Sequence, residues 1–296
     1  MNELTLEGLK CILNPSEEYD REVVIFKGEN LPLGTEPVRL DCFMIILCTE
    51  GGIPVRINSK YYELSHEKYA FVLPRSTVQV VDSGDAANRE VTVIAFEPSV
   101  LDESRFLAYE VWRKCYFLYK DPILSNQLET SYNYYLYLSL LENTAKKNLA
   151  YCKRKIMHHV LLAVILELFS PIYERTQEEE ESDIALTAAD EGIVRRFMEA
   201  VADDDGTHRS VSYFADILGC PAKYLSRIVK IGSKICPLKI INDHAMDQIK
   251  CDLVHTELSM KVISDKFEFP NPSVFGKYVK THLGCSPYEY RLAKRV

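Results

Sequence analysis

The chain has 296 residues, of which 47% are hydrophobic and 26% are charged. This length is enough for about two domains of ~150 residues each, and the composition is that of a folded globular protein rather than a disordered or collagen-like one. Its longest apolar runs, 43–48 and 160–166, are far shorter than the ~18 residues that a membrane-spanning helix needs. The N-terminal sequence has early acidic residues and no apolar core of a signal peptide, so we expect a cytoplasmic protein with no membrane partner.

The net charge of −8 is divided unevenly along the chain. Residues 207–296 carry 14 Lys and Arg against 8 Asp and Glu, a net charge of +6, whereas residues 1–206 carry 21 against 35, a net charge of −14. An asymmetry of this kind indicates that one part of a chain binds a polyanion. The C-terminal part is the candidate.

Residues 20–100 are predicted to form a β-barrel or sandwich. They contain six short segments rich in β-branched and aromatic residues, separated by the Gly, Asn and Ser residues that are typical of turns. Residues 125–172 have the three- and four-residue apolar spacing of helices instead. Within them, Lys153–Phe169 is apolar on nearly every side, so the barrel or the same helix of a second chain must cover it.

An acidic segment divides the chain. Glu174–Asp183 includes four consecutive glutamates, which repel one another and predict a solvated linker, with a charged helix end as the alternative. We therefore expect an N-terminal domain at 1–173, a linker at 174–187 and a C-terminal domain at 188–296.

Two helix-turn-helix units are predicted in the C-terminal domain. In the first, a helix ends at Gly219, which can adopt the left-handed conformation of a turn, and Cys220 and Pro221 open a second helix. In the second unit, the turn is the segment Pro270-Asn271-Pro272. A long helix from Pro237 to about Thr256 joins the two units.

The second helix of each unit, which we call the reading helix, has one apolar face and one exposed face. Hydrogen-bond donors on the exposed face are what contact with base edges in a DNA major groove requires, although such side chains are often simply solvated. The exposed residues are predicted to be Lys223, Tyr224, Ser226, Arg227 and Lys230 in the first unit, and Ser273, Gly276, Lys277 and Lys280 in the second.

The same region resembles the DNA-binding domain of the AraC/XylS family of bacterial transcription regulators. Three motifs carry the resemblance in the family's order: CPAKYLSRIVK at Cys220–Lys230, SVFGKYVK at Ser273–Lys280 and GCSPYEYR at Gly284–Arg291. The resemblance implies a sequence-specific regulator whose partners are double-stranded promoter DNA and, in an activator, RNA polymerase. It adds Asn271 and Pro272 to the predicted DNA-binding residues, and Pro272 stands where the family often has a polar contact to DNA.

The resemblance also implies the fold of the whole chain. Many members of the family have an N-terminal cupin-like β-barrel followed by dimerising helices. We therefore expect an α+β multidomain homodimer, with a cupin-like barrel and dimerisation helices before an all-α domain of two helix-turn-helix units joined by a long helix. One departure is Glu268, where the family usually has Gly, and we expect a differently shaped turn because a left-handed conformation is costly for Glu.

A barrel enzyme with a helical appendage is one alternative. Cupin enzymes hold a metal with two closely spaced histidines and a glutamate, but the predicted barrel has His66 alone, and His158 and His159 point to different faces of a helix. The pair Ser65 and Lys68 has the spacing found in some acyl enzymes but lacks their partner motifs. We therefore expect no catalytic residues, no metal and no cofactor. The other alternative is an interaction module whose helix-turn-helix units no longer bind DNA.

A small-molecule effector is a further candidate partner of the barrel. Phe43, Tyr69 and Phe71 are aromatic residues on predicted strands, and they could line its pocket. The same alternation of apolar residues fits plain core packing equally well.

Overall fold

The chain divides into two compact units, Met1–Asp183 and Ile184–Val296. The division falls within the predicted linker at 174–187. Helix α4, defined below, continues to Gln177, as in the alternative of a charged helix end. The structure is a computed structural model that describes residues 2–13, 21–31, 33–58, 60–66, 68–81, 89–125, 128–145, 150–177 and 186–294. Most of the predicted linker, residues 178–185, lies outside the described residues.

The N-terminal unit contains two five-stranded sheets and a set of helices. The first sheet has the strand order β1-β3-β8-β5-β6 and the second has the order β10-β7-β4-β9-β2. Neighbouring strands are antiparallel, except for the parallel pair β1 and β3. The strands are β1 (Asn2–Leu4), β2 (Val23–Gly28), β3 (Val38–Leu40), β4 (Phe43–Glu50), β5 (Ile53–Ile57), β6 (Lys60–Leu64), β7 (Lys68–Val72), β8 (Thr77–Val80), β9 (Glu90–Phe96) and β10 (Ile123–Ser125), and the helices are α1 (Leu6–Leu13), a 3-10 helix (Pro98–Glu103), α2 (Arg105–Lys120), α3 (Leu128–Ala145) and α4 (Ala150–Gln177).

Aliphatic side chains from both sheets form one core between them. Met44 and Ile46 of β4 and Val93 of β9 lie in the same buried cluster as Val55 and Ile57 of β5. Every second residue of a strand points to the same face, so this alternation gives each sheet one face toward the shared core. Two sheets around one core are the β-barrel or sandwich that was expected for this part of the chain.

Aromatic side chains occupy the other face of the second sheet, against α4. The rings of Phe43 and Phe71 lie 6.0 Å apart, and the Phe71 ring lies 5.0 Å from that of Phe169 in α4. The hydroxyl of Tyr69 donates a hydrogen bond to a backbone carbonyl of the same helix. All three of the residues predicted for an effector pocket are therefore packed between the sheet and α4 rather than inside the barrel. All three are 1% exposed or less, which is consistent with the core packing that the sequence left as the alternative, and the effector pocket stays a prediction.

The C-terminal unit is entirely helical over 186–294, as expected. Two helix-turn-helix units, α6–α7 and α9–α10, are joined by the long helix α8, while α5 precedes them and α11 follows. Their bounds are α5 (Ala188–Asp203), α6 (Val211–Ile217), α7 (Ala222–Ser233), α8 (Pro237–His255), α9 (Met260–Lys266), α10 (Pro272–Leu283) and α11 (Pro287–Lys294).

The reading helices α7 and α10 differ from the prediction at one boundary. Pro221 has ψ 136° and is the N-cap of α7 rather than its first helical residue, so the helix begins at Ala222. Pro272 does occupy the first helical position of α10. Since proline lacks an N–H, it suits both places.

The C-terminal tail motif closes the fold. The backbone N–H and the hydroxyl oxygen of Ser286 form a reciprocal pair of hydrogen bonds with Glu289, which caps the start of α11. Nε of Arg291 then donates to the carbonyl of Leu253 in α8, at 2.9 Å. The GCSPYEYR motif thus attaches α11 to the long helix.

Candidate nucleic-acid interface

The two helix-turn-helix units begin with the same cap. The hydroxyl of Ser210 accepts the backbone N–H of Tyr213 at 3.3 Å, and the hydroxyl of Ser259 accepts that of Val262 at 3.2 Å. A serine in this position satisfies one of the N–H groups that a helix leaves free at its start. Both first helices are seven residues long, so the two turns follow at the same distance from their caps.

The turns themselves share one backbone geometry. Gly219 has φ 64° and Glu268 has φ 51°, both in the left-handed region. After each of them, an N–H donates to a carbonyl five residues earlier: Cys220 to Ala215, and Phe269 to Ser264, each at 3.0 Å. The expectation that Glu268 reshapes the second turn is therefore wrong, because Glu268 adopts the left-handed conformation itself.

Arg209, which directly precedes the first unit, binds the backbone of the second turn at Glu268. Its guanidinium donates to the backbone carbonyls of Phe267, at 2.6 Å, and Glu268, at 3.4 Å. The same group lies 4.0 Å from the centroid of the Phe269 ring, a cation–π distance. Arg209 was not predicted from the sequence, because its partners lie almost 60 residues further along the chain and no local pattern marks them.

The first reading helix, α7, presents a basic face. Lys223, Arg227 and Lys230 are exposed and follow the spacing i, i+4, i+7 that places residues on one side of a helix. Leu225 and Ile228 are fully buried on the opposite side. The residues predicted from the α7 sequence thus divide into an exposed centre and two partly buried flanks, which are Ser226 and Tyr224.

Tyr224 lies on the flank that faces α5. Its hydroxyl donates a hydrogen bond to Oδ1 of Asp190, so this predicted DNA-contacting group is already bound within the unit. The hydrogen bond lowers the pKa of the Asp190 carboxyl and raises the pKa of the Tyr224 hydroxyl. The guanidinium of Arg227 lies 5.5 Å from the centroid of the Tyr224 ring.

Asp190 is a second residue that sequence analysis missed. A signal was present, because Thr187 and Asp190 have the spacing of a capping box before an apolar helix. The structure contains that capping box at the start of α5. The pattern predicts a helix start, however, and not the contact with Tyr224.

The second reading helix, α10, presents a similar but less basic face. Ser273, Lys277 and Lys280 are exposed at the same spacing, and they stand 50 residues after Lys223, Arg227 and Lys230. Gly276 is half-buried, and nothing lies within 4 Å of the position that a Cβ would take there.

The first turn of α10 places the remaining predicted residues. The side-chain oxygen of Asn271 accepts the N–H of Val274 at 3.0 Å, so it caps the helix, and Pro272 follows as an exposed apolar residue. On the buried side, the hydroxyl of Tyr278 donates to Oδ1 of Asn242 at 3.1 Å, and burial raises the pKa of Tyr278 to about 12. Tyr278 therefore attaches the second reading helix to α8.

The residues considered for a metal centre do not converge. Nε2 of His158 lies 3.5 Å from the carboxylate of Glu22, whereas Nδ1 of His159 lies 2.7 Å from the carbonyl of Lys155. In the part of the chain that the structure describes, no group of three or more His, Cys, Asp and Glu residues could hold a metal ion. Over the same residues, no helix is both long enough and apolar enough to cross a membrane.

A known protein family and several solved structures are similar to parts of this chain. A family model described as a helix-turn-helix domain matches residues 214–293. The C-terminal domain of AraT, a response regulator from Geobacillus stearothermophilus, is 21% identical over 35% of this chain and 86% of that one, with a TM-score of 0.32. The C-terminal domain of the response regulator YesN from Fusobacterium nucleatum is 23% identical over 36% and 99%, with a TM-score of 0.30. ToxT from Vibrio cholerae is 14% identical over 92% and 97%, with a TM-score of 0.35. No curated protein matches the chain.

Because these TM-scores are below 0.5, the assignment rests on the family match and on the motifs within it. The match includes both turns, both reading helices and the closing Arg291. Residues 214–293 are therefore a helix-turn-helix domain of the AraC type.

Proposed function

We propose that the chain is a sequence-specific DNA-binding transcriptional regulator that reads two successive major grooves with α7 and α10. One observation carries the proposal: the two reading helices follow turns of the same geometry, and each exposes cations at the same two helical positions, Arg227 and Lys230 in α7 and Lys277 and Lys280 in α10. A single solvated basic helix would not require this correspondence. Successive major grooves on one face of DNA lie about 34 Å apart.

The cations are assigned different roles. Arg227 lies at the centre of the α7 face, where a bidentate contact to guanine O6 and N7 is worth about 1–3 kcal/mol of discrimination against other bases. Lys230 and Lys280 lie one turn further along each helix and contact phosphates, which contribute affinity without sequence preference. Lys223 and Lys277 remain candidates for either type of contact.

Selection from a pool of randomised DNA duplexes tests the function. The purified full chain should enrich a sequence with two conserved elements whose centres are about one helical turn apart. A single conserved element would contradict reading by both helices. A pool that stays random after selection would instead support the interaction module without DNA binding.

We also infer a homodimer formed through the helices of the N-terminal unit. Leu136 and Leu140 of α3 and Leu166 of α4 are each 40% or more exposed, and exposed apolar groups of this kind are typical of protein–protein contacts. Leu162 is buried in its own unit, so a variant there would test folding rather than assembly.

The double variant L140E/L166E tests this assembly. Two buried charges at a dimer contact should give a monomer that binds DNA more weakly. Light scattering measures the mass, and an unchanged dimer would contradict the inference.

A further inference from the structure

The two reading helices differ in how their flanks are held. In α7, the flank residue Tyr224 is bound to Asp190 of α5. In α10, the corresponding residue is Val274, which stands 50 residues later and is 43% exposed. Only the first reading helix therefore has a polar connection at this position, within the continuously described residues 186–294.

The capping box at the N-terminus of α5 holds the Asp190 side chain in one orientation. Its Oδ2 accepts the backbone N–H of Thr187 at 3.0 Å and the hydroxyl of Thr187 at 2.7 Å. Its backbone N–H donates in return to the hydroxyl oxygen of Thr187, at 3.2 Å. The other carboxylate oxygen, Oδ1, is thereby directed to Tyr224, and Asp190 is only 9% exposed.

The Tyr224 ring connects this carboxylate to Arg227. Tyr224 and Arg227 are three residues apart on α7, so their side chains are neighbours. The 5.5 Å distance between the guanidinium and the ring centroid is a cation–π distance. An arginine side chain loses much rotational freedom on binding, and a ring that is fixed in place reduces the freedom that remains to be lost.

We propose that Asp190 is a positioning residue for DNA recognition, which orients the Arg227 guanidinium for base contact by fixing the Tyr224 ring. The inference rests on the proposed function, since it concerns how that function obtains its sequence preference. Asp190 touches no base in this account and acts through Tyr224. The second reading helix has no such arrangement at Val274.

The test measures base discrimination by the full chain. The probes are the duplex that the unmodified chain enriches most strongly and its single-base variants, together with an unrelated duplex of the same length. Y224F keeps the ring and removes the hydroxyl, D190A removes the carboxylate, and R227A identifies the base pair that Arg227 reads. Y288F removes the hydroxyl of an exposed tyrosine on α11 and is the matched control.

Y224F and D190A should each reduce discrimination about 2- to 10-fold, the effect of one hydrogen bond, at the base pair identified by R227A and at no other. Affinity for the unrelated duplex should not change. In the double variant Y224F/D190A, the loss should equal that of Y224F alone, because Asp190 acts through the hydroxyl. A merely structural Asp190 would lower affinity at every position alike, and that result would overturn the inference.

Two further outcomes separate the inference from the function on which it rests. Unchanged discrimination in Y224F, or losses that add in the double variant, would overturn the positioning role alone. Failure of the unmodified chain to enrich any sequence would overturn the proposed function and this inference together.

Discussion

The units α6–α7 and α9–α10 have the same turn geometry, but different contacts stabilise it in each unit. In the first, the left-handed turn residue is Gly219 and the reading helix is connected to α5 through Tyr224. In the second, the turn residue is Glu268, and the support comes from Arg209, which binds two turn carbonyls. A turn can therefore keep its shape without a glycine, provided that another side chain stabilises the carbonyls around it.

Removing the Arg209 support should have the largest effect on stability. R209A loses hydrogen bonds to Phe267 and Glu268 and the contact with the Phe269 ring, so the C-terminal unit should lose about 2–3 kcal/mol. Amide hydrogen exchange of residues 186–294 in the full chain measures the change. R195A is the control, because Arg195 forms a surface ion pair of 3.8 Å with Glu199, and the loss of such a pair costs ~0.5 kcal/mol or less. Equal losses in the two variants would show that Arg209 is not a specific support.

Substituting the turn residue should change the free energy of unfolding in opposite directions in the two units. G219A should destabilise the first unit by about 1–2 kcal/mol, because alanine has a Cβ that disfavours φ 64° even though nothing lies within 4 Å of it. E268G should stabilise the second unit by about 1 kcal/mol or less, since the relief of strain is offset by the greater freedom of glycine in the unfolded chain. Amide hydrogen exchange of residues 186–294 measures the stability of both variants. Destabilisation by E268G would mean that the Glu268 side chain contributes more than its backbone conformation costs.

The DNA contacts of the two reading helices should also be separable. R227A should lose about 1–3 kcal/mol of preference at one base pair, with little change in affinity for unrelated DNA. K280A should weaken all duplexes alike and reduce the slope of log affinity against log salt by about one unit. Competition binding against single-base duplex variants at several salt concentrations measures both. An equal loss for every duplex in R227A would contradict its assignment to base reading.

The smallest expected effect is the pH dependence of the stability that the Asp190–Tyr224 hydrogen bond contributes. The folded pKa of Asp190 is lowered by Tyr224, so this contribution to stability is present above the unfolded pKa of about 3.9 and is lost as the pH falls through the folded value. The difference in stability between the unmodified chain and Y224F should therefore shrink between about pH 6 and pH 3. Thermal unfolding at the two pH values measures it, with Y288F as a control that shows no such trend. A difference that stays constant with pH would contradict the role of the ionised carboxylate.

Much of the C-terminal domain could be predicted because its signals are local. Gly219, the apolar spacing of α7 and the motifs at Ser273–Lys280 each act within a few residues, and the long helix was expected at 237–256 and is found at Pro237–His255. The family match at 214–293 agrees with this region.

The contacts that differ between the two units could not be predicted, because they join distant parts of the chain. The Tyr224 hydroxyl was expected to face DNA, but its partner Asp190 lies 34 residues earlier. The turn at Glu268 depends on Arg209, 59 residues earlier. In the N-terminal unit, the sequence placed Phe43 and Phe71 on strands, but alternation could not show that their side chains lie on the face of the sheet that α4 covers.

A change of spacing between the two DNA elements is a direct test of whether α7 and α10 read DNA together, because α8 joins both reading helices within one compact unit. Inserting about five base pairs, half a helical turn, moves the second element to the opposite face of the duplex. The full chain should then bind this duplex no better than it binds a duplex with one element alone. Unchanged affinity for the duplex with the insertion would contradict reading by two helix-turn-helix units that act together.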